Sequence, residues 1–315
     1  MMNRGIALMK NRQKTGYLMV LTAGILWGTI GFFVTILKNM GAEPGTVSFM
    51  RIASAAVILI PALLAVGGVG MFKIDRKGLL WCLMLGIFCQ ALFNYSYTES
   101  INHVGVAAGA VLLYTSPVFV CIMSRMFFKE HINRIKLIAL AVNIVGCVLT
   151  VTGGDFTSVH FSVTGVLFGV AAGFLYGLMT IISTAAMKDY NPLTVIFYSF
   201  LFGAIVLAII TRPFDNIGSV ASLKFFAAAI GYGLIPTVGS YFFYMHGLSR
   251  GLETSKVPVV ASVETIVAAL IGLVVFSEAG GLFKLVGIAC VVSSIAIMNL
   301  SKPASKPTDF PDTRI

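Results

Sequence analysis

Residues 165–177 read G-V-L-F-G-V-A-A-G-F-L-Y-G, with Gly165, Gly169, Gly173 and Gly177 four apart. At helical pitch these glycines form one slowly drifting stripe down a single face. A face without side chains lets another helix backbone approach closely, which is how helices pack in lipid. The same pattern stands at 16–28, G-Y-L-M-V-L-T-A-G-I-L-W-G. Gly16, Gly24 and Gly28 recur as Gly165, Gly173 and Gly177, and an aromatic residue, Trp27 or Tyr176, precedes the last glycine. The offset of 149 is close to half of the 315 residues, so the chain reads as two copies of one unit.

Working outward, 58% of residues are hydrophobic and only 11% are charged. Soluble domains carry about 25% charged residues, so the composition is that of a polytopic membrane protein. Apolar stretches long enough to cross a hydrocarbon core are expected at 16–37, 45–66, 78–99, 104–127, 135–153, 164–187, 192–211, 222–248, 254–277 and 281–300. No alternating ten-residue pattern of a β-barrel is present, so helices are expected. The basic start followed by an apolar run resembles a signal peptide. That run exceeds the usual 7–15 residues and lacks a small-residue cleavage site, so it reads as a retained first span. Cys82, Cys89, Cys121, Cys147 and Cys290 fall inside apolar segments without metal or disulfide spacing and read as packing residues.

The net charge of +10 is an orientation signal. With the N-terminus in the cytoplasm, seventeen of the 22 Lys and Arg residues fall on the cytoplasmic side. Lys38, Arg212, Lys224 and Lys284 fall opposite, and Arg51 lies within a span. This distribution removes nucleic acid as a partner. The duplication extends further: Pro44-x-Thr46-Val47-x-Phe49 recurs as Pro192-x-Thr194-Val195-x-Phe197, Phe128-x-Glu130 as Phe276-x-Glu278, and Lys136-Leu137 as Lys284-Leu285. Five spans per copy is an odd number, so the second copy must enter the membrane from the other side. The expected fold is an all-α membrane protein of ten transmembrane helices in two inverted five-helix repeats, with both termini cytoplasmic. Its parts are a tail at 1–15, repeats at 16–153 and 164–300, and a polar, proline-rich tail at 301–315 expected to be disordered.

These features resemble the EamA-type transporters of the drug/metabolite transporter superfamily. The resemblance covers all but the two tails. It rests on the paired halves, Trp27-Gly28 and Tyr176-Gly177, Arg51, Pro117 in Ser-Pro-Val-Phe, and Glu130 and Glu278 closing the fourth and ninth spans. The sequence departs from the family pattern where Glu264 is followed by Thr265 rather than proline, and where Ser277 precedes Glu278. The resemblance implies a multi-pass cell-membrane transporter of small molecules whose cavity is formed by the first four helices of each half.

An ionisable group at bilayer depth costs roughly 2.5–3.5 kcal/mol on insertion scales, so each one requires an explanation. Glu264 lies about ten residues, or ~15 Å, into the ninth span. Two readings stand open: a carboxylate facing a wet cavity, where it meets a cationic group or takes up a proton, or a helix–helix hydrogen bond. Arg51 lies ~10 Å inside the second span. From there it either snorkels to the interface, holds a substrate carboxylate, or pairs with Glu264 or Glu99. Trp27, Tyr114, Tyr176 and Tyr241 lie well inside their spans and suit an apolar pocket with a few polar tips. Asn94, Tyr95 and Tyr198 are further candidate binding residues, although Tyr95, Tyr198 and Tyr244 also fit an interfacial aromatic belt.

Pro117, Pro236 and Pro258 are expected to interrupt cavity-lining helices, as hinges or as tolerated kinks. The fifth and tenth spans hold no charge beyond a basic start and are expected at the periphery, on the outside or against a second subunit in a homodimer. There is no phosphate-binding loop or metal-ligand spacing, so no cofactor is expected. The expected function is gradient-driven efflux of amino-acid-like or amphipathic metabolites, with protons as the simplest coupling ion. A non-transporting sensor or scaffold is the alternative. A lipid-modifying enzyme would need a facial cluster of catalytic carboxylates or histidines, which the sequence lacks.

Overall fold

Ten helices are long and apolar enough to cross a membrane. They are α1 (Asn11–Asn39), α2 (Pro44–Phe72), α3 (Arg76–Val104), α4 (Val106–Phe128), α5 (Arg134–Thr152), α6 (Val163–Ala186), α7 (Pro192–Thr211), α8 (Leu223–Leu248), α9 (Thr254–Val275) and α10 (Leu282–Leu300). The computed structural model describes residues 2–155, 162–277 and 281–301, with side chains from residue 11 onward. Glu278, His160 and the tail after Ser301 lie outside the described residues. Helix already begins at Met2, so most of the stretch expected as an N-terminal tail continues the first span.

The span ends are set by ordinary caps. Asp75 accepts from the Gly78 N–H, Asn133 from Lys136, Ser162 from Gly165, Asn191 from Leu193 and Ser222 from Phe225. Such caps satisfy backbone donors that a helix start leaves orphaned. Pro44 and Pro192 occupy the first turn of α2 and α7, where a missing N–H costs nothing.

The two glycine stripes cross between halves. Gly24 and Gly28 of α1 lie against α9, and a Cβ added at either would meet Ala261 O at 2.5 Å or Glu264 O at 2.8 Å. Gly173 and Gly177 of α6 lie against α4, where an added Cβ would meet Leu113 O at 3.3 Å and Ser116 O at 3.1 Å. Leu113 and Ser116 are the repeat counterparts of Ala261 and Glu264, 148 positions earlier. Each half therefore lends its first helix to the fourth helix of the other half. α2 and α7 pack together on one side, and α5 packs on α10 on the other. In that second pair the backbones close to the point where a Cβ at Gly146 would meet Val291 N at 2.8 Å. The fifth and tenth spans, expected at the periphery, are thus each other's partners.

Three spans are broken near mid-membrane. α1 breaks after Trp27, α4 after Leu113 and α9 after Ala261. At each break a hydroxyl bonds the carbonyl three residues back: Thr29 to Leu26 O, Thr115 to Leu112 O and Ser262 to Val259 O. This local competition with the helical ladder tightens the turn. α6 has Leu178 where α1 has Thr29, and it runs unbroken from Val163 to Ala186. α3 and α8 instead widen into π-helical turns at Leu85–Leu92 and Leu234–Gly239, which begin 149 residues apart. In α8 the cause is visible. Pro236 cannot donate to Tyr232 O, and the Thr237 hydroxyl takes that place at 2.8 Å. Pro117 and Pro258 each sit in the first turn of a helical segment flanking the α4 and α9 breaks. Pro61, inside α2, leaves its helix continuous.

Candidate functional site

Two of the broken spans, α4 and α9, meet α6 and α8 around one cavity lined by Tyr114, Ser116, Pro117 and Val120 of α4, Tyr176, Gly177 and Thr180 of α6, Tyr244 of α8, and Pro258, Ala261, Ser262 and Glu264 of α9. Both halves contribute. The centre of a water-sized sphere can occupy only ≈ 10 Å³ of it, which is room for about one water molecule. Glycine at 177 brings α6 close to α4 without a side chain in the way, and Ser116 and Ser262 beside the α4 and α9 breaks are among the lining residues.

Glu264 is the acidic group of the cavity. It begins the second segment of α9, is half-buried, and accepts a long hydrogen bond of 3.4 Å from the Tyr176 hydroxyl. Among the described residues no basic side chain forms an ion pair with it. Both readings left open by the sequence survive in part, because Glu264 faces the cavity and also takes a hydrogen bond from another helix.

Behind Glu264 stands a wall of rings centred on Trp27. Its ring is 6.3 Å from Tyr176, 5.6 Å from Tyr241 and 5.0 Å from Tyr244, all edge-on or tilted. Such geometry sets the positive edge of one ring against the negative face of the next. Tyr176 also stacks on Phe93 at 5.5 Å. Buried phenols need polar partners, and these have them. Tyr244 shares a 2.7 Å hydrogen bond with Thr180, and Tyr241 accepts from Gln90 Nε2 at 2.8 Å. Trp27, Tyr114, Tyr176, Tyr241 and Glu264 thus gather at one place.

Other candidates lie elsewhere. Asn94 is buried, but its amide donates back to Gln90 O within α3. Tyr95 is exposed and packs on Phe168. Tyr198 donates to Phe72 O at the end of α2. Tyr244, which also fits an aromatic belt, lines the cavity with 2% of its surface exposed. The sequence reading passed over Thr180, Ser116 and Ser262. The only signal for them was a hydroxyl on an otherwise apolar helix, and such residues are common in any membrane span.

Arg51 pairs with neither Glu264 nor Glu99. Glu99 instead sits 3.9 Å from His103 at the end of α3. Nor does Arg51 snorkel, since it is 8% exposed and lies over the Tyr232 ring at 6.0 Å.

A polar network joins the α4–α5 and α8–α9 turns. Glu130 accepts from the N–H groups of Thr254 and Ser255 and from the Ser255 hydroxyl, at 2.6–3.0 Å. Lys136 is buried, donates to His131 O and Ser255 Oγ, and pairs with Glu253 at 2.6 Å. Lys256 reaches Glu253 at 3.5 Å and Ser301 O at 2.9 Å. Residues 105–108, the repeat counterparts of 253–256, are Gly-Val-Ala-Ala and carry no polar side chain. The turn before α4 therefore has no counterparts of Glu253, Thr254, Ser255 and Lys256.

Known proteins place this architecture. A solved crystal structure superposes with a TM-score of 0.77 over 91% of this chain and 98% of its own, at 16% identity, which is a likeness of fold. A transporter of Archaeoglobus fulgidus with no assigned function is 27% identical over 88% of this chain and 94% of its own length. The transporter YwfM of Bacillus subtilis, likewise uncharacterised, is 24% identical over 93% and 96%. The pseudopaline exporter CntI of Pseudomonas aeruginosa is 25% identical over 86% and 88%. The model of the EamA-like transporter family matches residues 14–152 and again 163–300. With a glycine-striped, twice-repeated set of spans closing on a shared cavity, the chain is a multi-pass membrane protein that belongs to the EamA-like transporter family.

Proposed function

We propose that the protein is a gradient-driven transporter that carries small organic solutes outward by rocking its two halves about the central cavity. The observation that carries this reading is Glu264. A half-buried carboxylate at a helix break, without a basic partner among the described residues and facing a cavity walled by aromatic rings from both halves, is arranged to meet a cationic group or a proton. The cavity holds about one water in this conformation, so solute entry requires the halves to move. The broken α4 and α9, matched across the repeat, supply places for the bend. The network around Lys136 and Glu253 joins the halves at one end, which is the cytoplasmic end if the bias in basic residues orients the chain. Opening at that end then requires the pair to separate. Outward transport is supported by the name of one relative, the pseudopaline exporter.

Counterflow of labelled solute in proteoliposomes tests the reading. The wild-type protein is expected to exchange solute, and Glu264→Gln is expected to lose about tenfold or more of that exchange while remaining folded. Binding without counterflow favours a sensor, and unchanged counterflow in Glu264→Gln removes the role given to that carboxylate.

A further inference from the structure

Arg51 lies outside the cavity lining yet is more deeply buried than any other arginine among the described residues. Its guanidinium carries five donors. One interaction goes to the Tyr232 hydroxyl, its ring neighbour across the α2–α8 contact, while Nε is buried with no partner. No carboxylate among the described residues pairs with it. The other buried cations, Lys136 and Lys256, are both matched by Glu253. A buried charge without a counter-ion is costly, so its retention needs a cause.

Helix packing does not supply that cause. The repeat counterpart of Arg51 is Ser199 on α7, which is 2% exposed and uncharged, so the α2–α7 pair tolerates a small residue at that depth. The phenols of Tyr176 and Tyr241 are near enough to Arg51 for their charge state to bear on it. Both belong to the ring wall around Trp27, so Arg51 borders that wall.

We infer that Arg51 is the subsite for a carboxylate on the transported solute, and so makes a single carboxylate a condition of recognition. This rests on the transport reading above. A carboxylate matches the forked guanidinium donors and its single charge, whereas a dianionic phosphate would leave net negative charge at bilayer depth. Substrate would supply the missing partner of Nε, and the ring wall would cover the apolar body between Arg51 and Glu264.

The test is counterflow with paired solutes, each an amino acid and its carboxamide, on the full chain in proteoliposomes. In the wild-type protein the acid is expected to drive exchange at about 10- to 100-fold lower concentration than the amide, the range of a hydrogen-bonded charge. Arg51→Gln is expected to erase that preference, and Arg51→Lys to keep part of it. Because Arg51→Gln removes a buried side chain, its folding is checked by monodispersity in detergent. Should it fail to fold, the wild-type preference and competition by free carboxylic acids decide the matter. Equal exchange of acid and amide by wild type overturns the inference while leaving transport standing. A folded Arg51→Gln that still prefers the acid overturns it as well. Absence of counterflow with every pair removes the transport reading, and this inference with it.

Discussion

Lys136 Nζ and Glu253 Oε2 stand 2.6 Å apart, with the lysine side chain 2% and the glutamate 13% exposed, and they come from opposite halves of the chain. Their contact joins the turn after α4 to the turn before α9. Removing one member of such a pair strands the other, at a cost of about 3–5 kcal/mol, whereas removing both costs much less. Lys136→Met is therefore expected to lower the thermal midpoint in detergent markedly. The Lys136→Met/Glu253→Met double variant should recover much of the loss, although Lys256 then loses its own partner. A double-mutant cycle on unfolding temperature checks this.

The glycine crossings predict a matched pair of defects. Gly24→Ala meets Ala261 O at 2.5 Å, and Gly173→Ala meets the Thr115 hydroxyl and Leu112 O. Overpacking of this kind costs about 1–3 kcal/mol. Gly165 is packed just as closely, since an added Cβ would meet His103 Cβ at 2.6 Å. The helix end is thus as sensitive as its middle. Gly31→Ala, which meets nothing within 4 Å, is the control expected to be neutral.

Asp75 and Tyr190 form a second tie between the halves, a 2.7 Å hydrogen bond outside the membrane spans. The Gly78 N–H and the Tyr190 hydroxyl hold the Asp75 carboxyl below its ordinary value. A lowered folded-state value means the contribution is present above the unfolded value and is lost as pH falls through the lowered one. Desolvation, together with the Asp75 hydrogen bond, pushes Tyr190 up to about 12. Its contribution is present below the ordinary phenol value of about 10 and fades as pH rises through that window. Asp75→Asn should flatten the acid side of a stability profile, and Tyr190→Phe the alkaline side. Chemical denaturation across pH reads both.

Asn143 ties the peripheral pair to the break in α9. Its amide donates to Ser262 Oγ at 2.6 Å and to Ser294 Oγ at 3.0 Å, all three buried. Asn143→Leu removes both donors, and about 1–3 kcal/mol of stability is expected to go with them. Ser294→Ala should cost less, because one of the two hydrogen bonds remains. Unfolding midpoints of the two variants decide it.

Much of this protein is legible in one dimension. Ten spans follow from the length and apolarity of the runs. The duplication follows from residues recurring 148 or 149 positions apart, and inversion follows from five spans being an odd number. Depth in a bilayer is nearly a linear function of sequence position, so Glu264 stands out as an ionisable group at the midplane. Trp27, Tyr114, Tyr176 and Tyr241 follow for the same reason.

What only the tertiary structure decided is the direction in which each helix faces. The stripe at 165–177 required a close neighbour, but a missing side chain does not say which one. Its inner glycines, Gly173 and Gly177, lie on α4 of the other half, mirrored by α1 on α9, while Gly165 lies on the end of α3. In the sequence Lys136 and Lys256 are two of the basic residues counted on the cytoplasmic side, and a one-dimensional count cannot see Glu253 folding between them. Tyr198 and Tyr95 could be assigned to pocket or belt only by rotation about the helix axis, which packing sets: one bonds Phe72 O and the other packs on Phe168. Arg51 is the sharpest case. Its depth was plain from position 51, while the lack of an ion pair with any carboxylate among the described residues appears only in three dimensions.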